Sequence, residues 1–362
     1  MAKERGPRIL AVSVSGIGNT ILFVPFLAAL RRHFPQAQIE LLAGGAGMAQ
    51  AVEGGGAVDC VRLTPARAAG IPGFLRELRA ARYDAVVTAF PSNKWQFNAL
   101  ARWTGARERV THGYACARAR TLAFLQNRRV PAVEGLHDVE QNLRLLTAFG
   151  LDPAGESRAL SFPVGGADRD FAAGFLRERG MEGALLVGLH PGAGGKYKDW
   201  QGLIKRWPAD RFARLADLLV ERFDVRVLLV GGPEEAPLKQ EVVQRARRPE
   251  RLTVVDASLK RTAALLGRCR LMVSNDSGLM HVAAAMGVPT LGLFGPTNET
   301  RTAPWGAGCR ALRADVPCCA RLQYPFRTTS SKIRCTENGR CLTGLAVERV
   351  LDAAAERLAA AP

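Results

Sequence analysis

Residues 274–297 read SNDSGLMHVAAAMGVPTLGLFGPT. The stretch follows an apolar run, RLMV, and opens with a polar glycine turn, SNDSG. A short apolar helix comes next, GLMHVAAAMG, then a second apolar run, VPTLGLF, closed by GPT. Strand, glycine turn, helix and strand form the repeating unit of a parallel sheet, because parallel neighbours need a crossover between them. Asp276 or Ser277 can cap the helix, which leaves its first N–H groups turned toward an anion. Ser277 adds a hydroxyl, and His281 lies one turn in.

The same grammar extends in both directions. Toward the N-terminus lie ALLVGLHPG, the amphipathic ADRFARLADLLVERF, VRVLLVGGP and RLTVVDAS. In the helix, Phe212, Leu215, Leu218 and Leu219 share one side. The opening half repeats the pattern with ILAVSVS, the loop SGIGNT, a long helical stretch, AQIELLAG and YDAVVTAF. A segment rich in small residues, SRALSFPVGGAD (157–168), joins the halves, and TGLAVERVLDAAAERLAA closes the chain as a helix. The expectation is an α/β chain of two Rossmann-like domains with parallel sheets. Ligands of such sheets sit beyond the carboxyl ends of the strands. Those ends carry SGIGN, HPGAGG, GGPEE, SNDSG and FGPT, whose glycines let backbone amides approach a phosphate. The dinucleotide fingerprint is incomplete after Gly18, and no GxxxxGK[ST] loop is present, which disfavours a dehydrogenase and a P-loop kinase.

At 362 residues the chain has room for about two domains. Hydrophobic residues make up 48% and charged residues 23%, which excludes a disordered tail protein. The net charge is +17, and 42 of the 50 basic residues are arginine. Such a balance suits an anionic partner, although a GC-rich genome also inflates arginine. The uncharged residues 9–30 follow a basic start and could pass for a signal peptide, but SVSGIGNT breaks the apolar core that one requires. Proline and glycines likewise interrupt residues 277–298, so no transmembrane helix is expected and a cytoplasmic location is.

The stretch 274–297 resembles the signature of glycosyltransferase family 9, the ADP-heptose:lipopolysaccharide heptosyltransferases. The pattern D-[ST]-G-x-x-H-x-A-A, then Pro and a G-x-T turn, is met by Asp276, Ser277, Gly278, His281, Ala283, Ala284, Pro289, Gly295 and Thr297. His190-Pro191-Gly192, Lys205-x-Trp207-Pro208 and Gly231-Gly232-Pro233-x-Glu235 are similar to further family blocks. The resemblance implies a GT-B fold of two facing Rossmann-like domains. Residues 1–160 would bind acceptor, residues 161–342 would bind the nucleotide-sugar donor, and 343–362 would pack back on the first domain. It implies a donor site of His190, Gly192, Lys205, Glu235, Asp276, Ser277, Gly278, His281 and Thr297. Asp276, Ser277 and Gly278 would meet a diphosphate, Lys205 would offset its charge, and Glu235 would take a ribose hydroxyl. ADP-heptose would be the donor, with no obligatory cofactor.

One departure stands out. The family's first glycine loop ends in Asp, the expected general base, whereas this chain has Gly18-Asn19. An amide cannot take a proton. In the stretch Tyr83–Thr88, which resembles the family's next acidic segment, Asp84 remains but is placed at the start of a strand. Another carboxylate, a substrate phosphate, or a transition state needing little base would each accommodate Asn19. Three functions stay open: a heptosyltransferase of the lipopolysaccharide core, a family member with another donor or a protein acceptor, and a non-catalytic nucleotide-sugar binder. For the acceptor, residues 102–129 hold seven arginines against Glu108 alone. Gly18, Arg102, Arg107, Arg109, Arg118 and Arg120 are the candidates, since guanidinium forks suit phosphorylated saccharides and the inner membrane surface. No nucleic-acid motif accompanies them. Cys318, Cys319, Cys335 and Cys341 cluster near the end without zinc spacing, leaving a structural metal, a disulfide or free thiols open.

Overall fold

The computed structural model describes residues 6–114, 121–194, 204–316, 325–326, 335, 337 and 339–359. The chain forms two compact units, Met1–Pro163 with Gln323–Ser331, and Val164–Leu322 with Lys332–Pro362.

In the first unit the strands are β1 (Arg8–Ser13), β2 (Gln38–Ala43), β3 (Cys60–Leu63), β4 (Ala85–Thr88), β5 (Glu108–Gly113) and β6 (Arg128–Pro131). They form one parallel sheet in the order β3-β2-β1-β4-β5-β6. Strand β1 is a near-continuous apolar run because helices cover both faces of the sheet. The uncharged segment that follows it is the helix Ile17–His33, with Ile21, Leu22, Phe23, Phe26 and Leu27 fully buried. Its apolarity therefore reflects core packing.

The second unit repeats the winding with β7 (Leu186–His190), β8 (Arg226–Leu229), β9 (Leu252–Val254), β10 (Leu271–Asn275), β11 (Thr290–Phe294) and β12 (Arg310–Arg313). Its order, β12-β11-β10-β7-β8-β9, read from the far edge inward is the same topology as the first sheet. The order of winding reverses between the parallel neighbours β7 and β10, so the carboxyl ends of those two strands flank the crevice where such sheets bind ligands. The helix Ala209–Phe223 buries Phe212, Leu215 and Leu219 against this sheet, and Trp207 joins them with no exposure. The last helix, Val347–Ala359, places Val347, Val350, Ala353 and Ala354 in this second core. This buried face of the closing helix belongs to the second unit. No described helix is long and apolar enough to cross a membrane.

Candidate functional site

The crevice between β7 and β10 gathers most of the residues expected to hold a donor. His190 is the last residue of β7, and its ring is 2% exposed. Its Nε2 lies 3.0 Å from Glu235 Oε2, while Nδ1 lies 3.0 Å from Ser277 Oγ and 3.2 Å from Ser274 Oγ. Glu235 ends a short 3-10 turn, Pro233–Glu235, after β8. Its carboxylate also accepts from Gly232 N–H at 2.9 Å and Gly194 N–H at 3.1 Å. Burial alone would raise this carboxyl, but the hydrogen bond and charge of His190 and the two amides outweigh it and hold it at about 2. An ionised carboxylate only accepts, so the Nε2 that faces Glu235 carries a proton. Ser274 Oγ donates to the Asn275 carbonyl at 2.7 Å, and Ser277 Oγ faces Nδ1.

Gly192 has a different reason for being glycine from the one its loop suggested. A Cβ there would lie 1.8 Å from Glu235 Oε1. Its missing side chain makes room for this carboxylate. At Gly295 a Cβ would meet Cys341 Sγ and Leu342 Cγ, each at 3.0 Å, so that glycine serves the packing of the short helix Arg340–Thr343.

On the β10 side, Ser277 caps the helix Gly278–Ala285, accepting from Met280 N–H at 3.4 Å. Lys205 Nζ lies 2.8 Å from Asp276 Oδ2. Burial pushes the Asp276 carboxyl up, but the charge and hydrogen bond of Lys205, then Thr297 and His281, bring it below its ordinary value. Thr297 acts there as a near neighbour: among the described residues its buried Oγ1 closes no well-formed hydrogen bond. One expected element is absent. The Asp276 N–H donates to the Leu293 carbonyl at 3.2 Å, prolonging the sheet, so Asp276 offers an anion no amide and the free N–H groups begin at Ser277.

Two residues that sequence reasoning left unassigned hold this arrangement. Asn275 is fully buried, donates Nδ2 to the carbonyls of Pro191 and Gly192 at 2.8 and 3.0 Å, and accepts the Trp207 N–H at 3.0 Å. It ties the β7 loop to the segment carrying Lys205. Trp207 is pinned again by its indole N–H, which donates to the Leu345 carbonyl at 2.9 Å. Lys239, 2% exposed, donates to the carbonyls of Gly231 and Val255 and braces the Glu235 turn; burial pushes its ammonium down, and Asp256 and Glu235 oppose that. A polar residue ending an otherwise apolar strand was the available signal for Asn275. Lys239 carried none.

In the first unit, Gly18 and Asn19 lie in the first turn of the helix Ile17–His33. Asn19 lines a small pocket with Ser13, Ser15, Thr88, Phe90 and Phe97, which contains no carboxylate. Asp84 is at the opposite end of β4, where its carboxylate accepts the Arg8 N–H at 2.7 Å. Among the described residues, Arg102, Arg107 and Arg109 are not part of this pocket's lining. Phe97 faces it from the helix Trp95–Trp103, and Arg102 lies about 140° around that helix, exposed to solvent. Arg109 donates its guanidinium to the carbonyls of Leu125 and Ala106, a local structural use. Arg107 is exposed, and Arg118 and Arg120 lie outside the described residues. Cys318 and Cys319 also lie outside them; Cys341 is buried, and Cys335 Sγ accepts the Gly339 N–H at 3.3 Å.

The family model described as Glycosyltransferase family 9 (heptosyltransferase) matches residues 72–330. Lipopolysaccharide heptosyltransferase 1 of Pseudomonas aeruginosa is 26% identical, over 95% of this chain and 96% of that protein. Among solved structures, the fold is similar to the family 9 glycosyl transferase of Veillonella parvula, with a TM-score of 0.77, 24% identity and 98% of each chain covered. It is also similar to the E. coli heptosyltransferase WaaC with ADP, at a TM-score of 0.68 and 22% identity over 97% of this chain and 99% of that one. These likenesses place the fold in the GT-B class.

Proposed function

Because this chain belongs to glycosyltransferase family 9, the heptosyltransferase family, we propose that it transfers a heptose or related sugar from an ADP-linked donor to a lipopolysaccharide core or other lipid-linked saccharide, inverting the anomeric centre. The observation that carries the reading is the joined set at the β7–β10 crevice: Lys205 on Asp276, Ser277 at a helix start, and Glu235 held ionised beside His190. ADP is the nucleotide named for WaaC.

In this reading the acceptor oxygen forms a bond to the anomeric carbon as the bond from that carbon to the diphosphate oxygen breaks. ADP leaves with the electron pair. Lys205 and the N–H groups from Ser277 onward face the charge that develops on the diphosphate. Asp276 holds the ammonium at that place. Glu235 Oε1, with one acceptor direction beyond Gly194, takes a ribose hydroxyl. The acceptor proton leaves to a substrate phosphate or to a carboxylate outside the Asn19 pocket, while Asn19 orients the hydroxyl. We place the enzyme in the cytoplasm, at the inner face of the inner membrane.

Thermal unfolding with ADP, UDP, GDP and CDP tests the donor. A nucleotide at about 100 times its Kd adds ~2.7 kcal/mol to the native state. The expected result is a shift with ADP alone; no shift with any nucleotide overturns the proposal. The neutral Asn19 pocket favours a second reading, a binder without turnover. An ADP shift without ADP release in the presence of ADP-heptose and a lipopolysaccharide core acceptor would select it.

A further inference from the structure

The first unit leaves three aromatic side chains largely exposed on or beside one helix. Trp95 is 52% exposed, Trp103 48% and Phe124 67%. On the helix Trp95–Trp103, Asn98 and Ala101 face inward, Trp103 points the opposite way, and Trp95 and Arg102 lie together on the exposed flank between them. Phe124 sits on the short 3-10 turn Ala123–Leu125 beside it. That turn is stitched to the helix where Asn98 Nδ2 donates to the Thr121 carbonyl and Gln126 Nε2 to the Asn98 carbonyl. The Trp103 indole N–H donates to the Leu75 carbonyl at 2.9 Å, which fixes the ring with its polar edge satisfied. Holding a bulky apolar ring in water costs free energy that a monomeric soluble surface rarely gathers three times over.

Within the stretch that carries these rings, the charge is almost all positive. Glu108 is the one acid between residues 94 and 129, and Arg128 pairs with it at 2.7 Å. Lys94, Arg102 and Arg107 are exposed and form no ion pair among the described residues. Aromatic rings beside unpaired cations suit the headgroup region of an anionic bilayer. There the rings lie at the level of the glycerol backbone and the cations meet lipid phosphates. Arg102 is turned away from the Asn19 pocket, whereas Lys94 lies over the ring of Phe97, which lines that pocket.

We propose that the outer face of the helix Trp95–Trp103, with Phe124 and Arg107, is a docking surface for an anionic lipid bilayer. The proposal rests on the lipid-borne acceptor for its purpose, and its test does not depend on transfer. The full chain is sedimented with vesicles of phosphatidylcholine alone and of phosphatidylcholine with phosphatidylglycerol. Binding to the anionic vesicles, weakened by salt, is expected, with little binding to the neutral ones. Each cation near the surface is worth about fivefold in partition, so Arg102→Gln with Arg107→Gln lowers it about 25-fold. Brominated phosphatidylglycerol quenches the wild-type indoles, and Trp95→Phe, a substitution that keeps an aromatic ring, removes part of that quenching. Equal binding to neutral vesicles overturns the proposal, as does quenching unchanged in both Trp95→Phe and Trp103→Phe. A soluble core oligosaccharide that shifts the emission as much as vesicles do would reassign the face to sugar binding and also overturn it. Vesicle binding without an ADP thermal shift would keep the docking surface and remove the transferase reading; the reverse would do the opposite.

Discussion

Replacing Glu235 by glutamine tests the buried pair at the crevice. The substitution keeps shape and removes charge. Glu235 is 5% exposed and accepts from His190, Gly232 and Gly194. A glutamine amide nitrogen cannot accept from any of them. The folded carboxyl titrates at about 2 against an ordinary 4.5, a difference equivalent to about 3 kcal/mol. Because the folded value is the lower one, that stability is present above about pH 4.5 and is lost as pH falls toward about 2. Linkage puts the loss at about 1 kcal/mol by pH 4 and about 2 kcal/mol by pH 3. Glu235→Gln therefore destabilises the second unit by about 3 kcal/mol at pH 7, a fall of roughly 6–12 °C in Tm for a unit of this size. Urea titrations of both proteins at pH 7, 5, 4 and 3 read the gap directly. It should narrow on acidification. A gap that is missing at pH 7, or constant across the series, refutes the reasoning.

Three further substitutions separate the parts of the site. Gly192→Ala puts a methyl group on the Glu235 carboxylate and should cost about 2–4 kcal/mol in urea unfolding, yet almost nothing in a Glu235→Ala background, because the clash needs both partners. Asn275→Ala strips three buried hydrogen bonds and should cost about 2–4 kcal/mol, with Asn275→Asp worse, since a carboxylate would face the Pro191 and Gly192 carbonyls. Asn19→Asp should change turnover while leaving the ADP Kd within about twofold, as a proton acceptor in the other unit would. A Kd that moved tenfold would place Asn19 at the donor.

The winding of both halves was readable because buried parallel strands announce themselves as apolar runs with glycine turns at their ends. Asp276, Ser277, Lys205 and Glu235 were readable because few residue types suit their roles at those spacings. Hydrogen-bond direction was not. The Asp276 amide looks free in a sequence, and only the register of β10 against β11 gives it to Leu293. Gly192 shows the same limit: a glycine beside an expected phosphate invites one explanation, and its actual neighbour, Glu235, lies 43 residues away in the chain. Arg102 and Arg109 look alike as letters. The rotation of one helix and the carbonyls at Ala106 and Leu125 give them separate tasks.

Trp207 links two ends of the molecule that are usually handled apart. Its indole hangs on the carbonyl of Leu345, and its amide hangs on Asn275, two residues along from Lys205. Anyone shortening the gene to remove the cysteine-bearing loop would cut near that carbonyl. The loss would then show up far from the cut, as a lysine no longer anchored opposite Asp276, and would be mistaken for damage to the donor pocket. A tag or fusion is better tolerated beyond Ala359, where the last helix has already delivered its buried face.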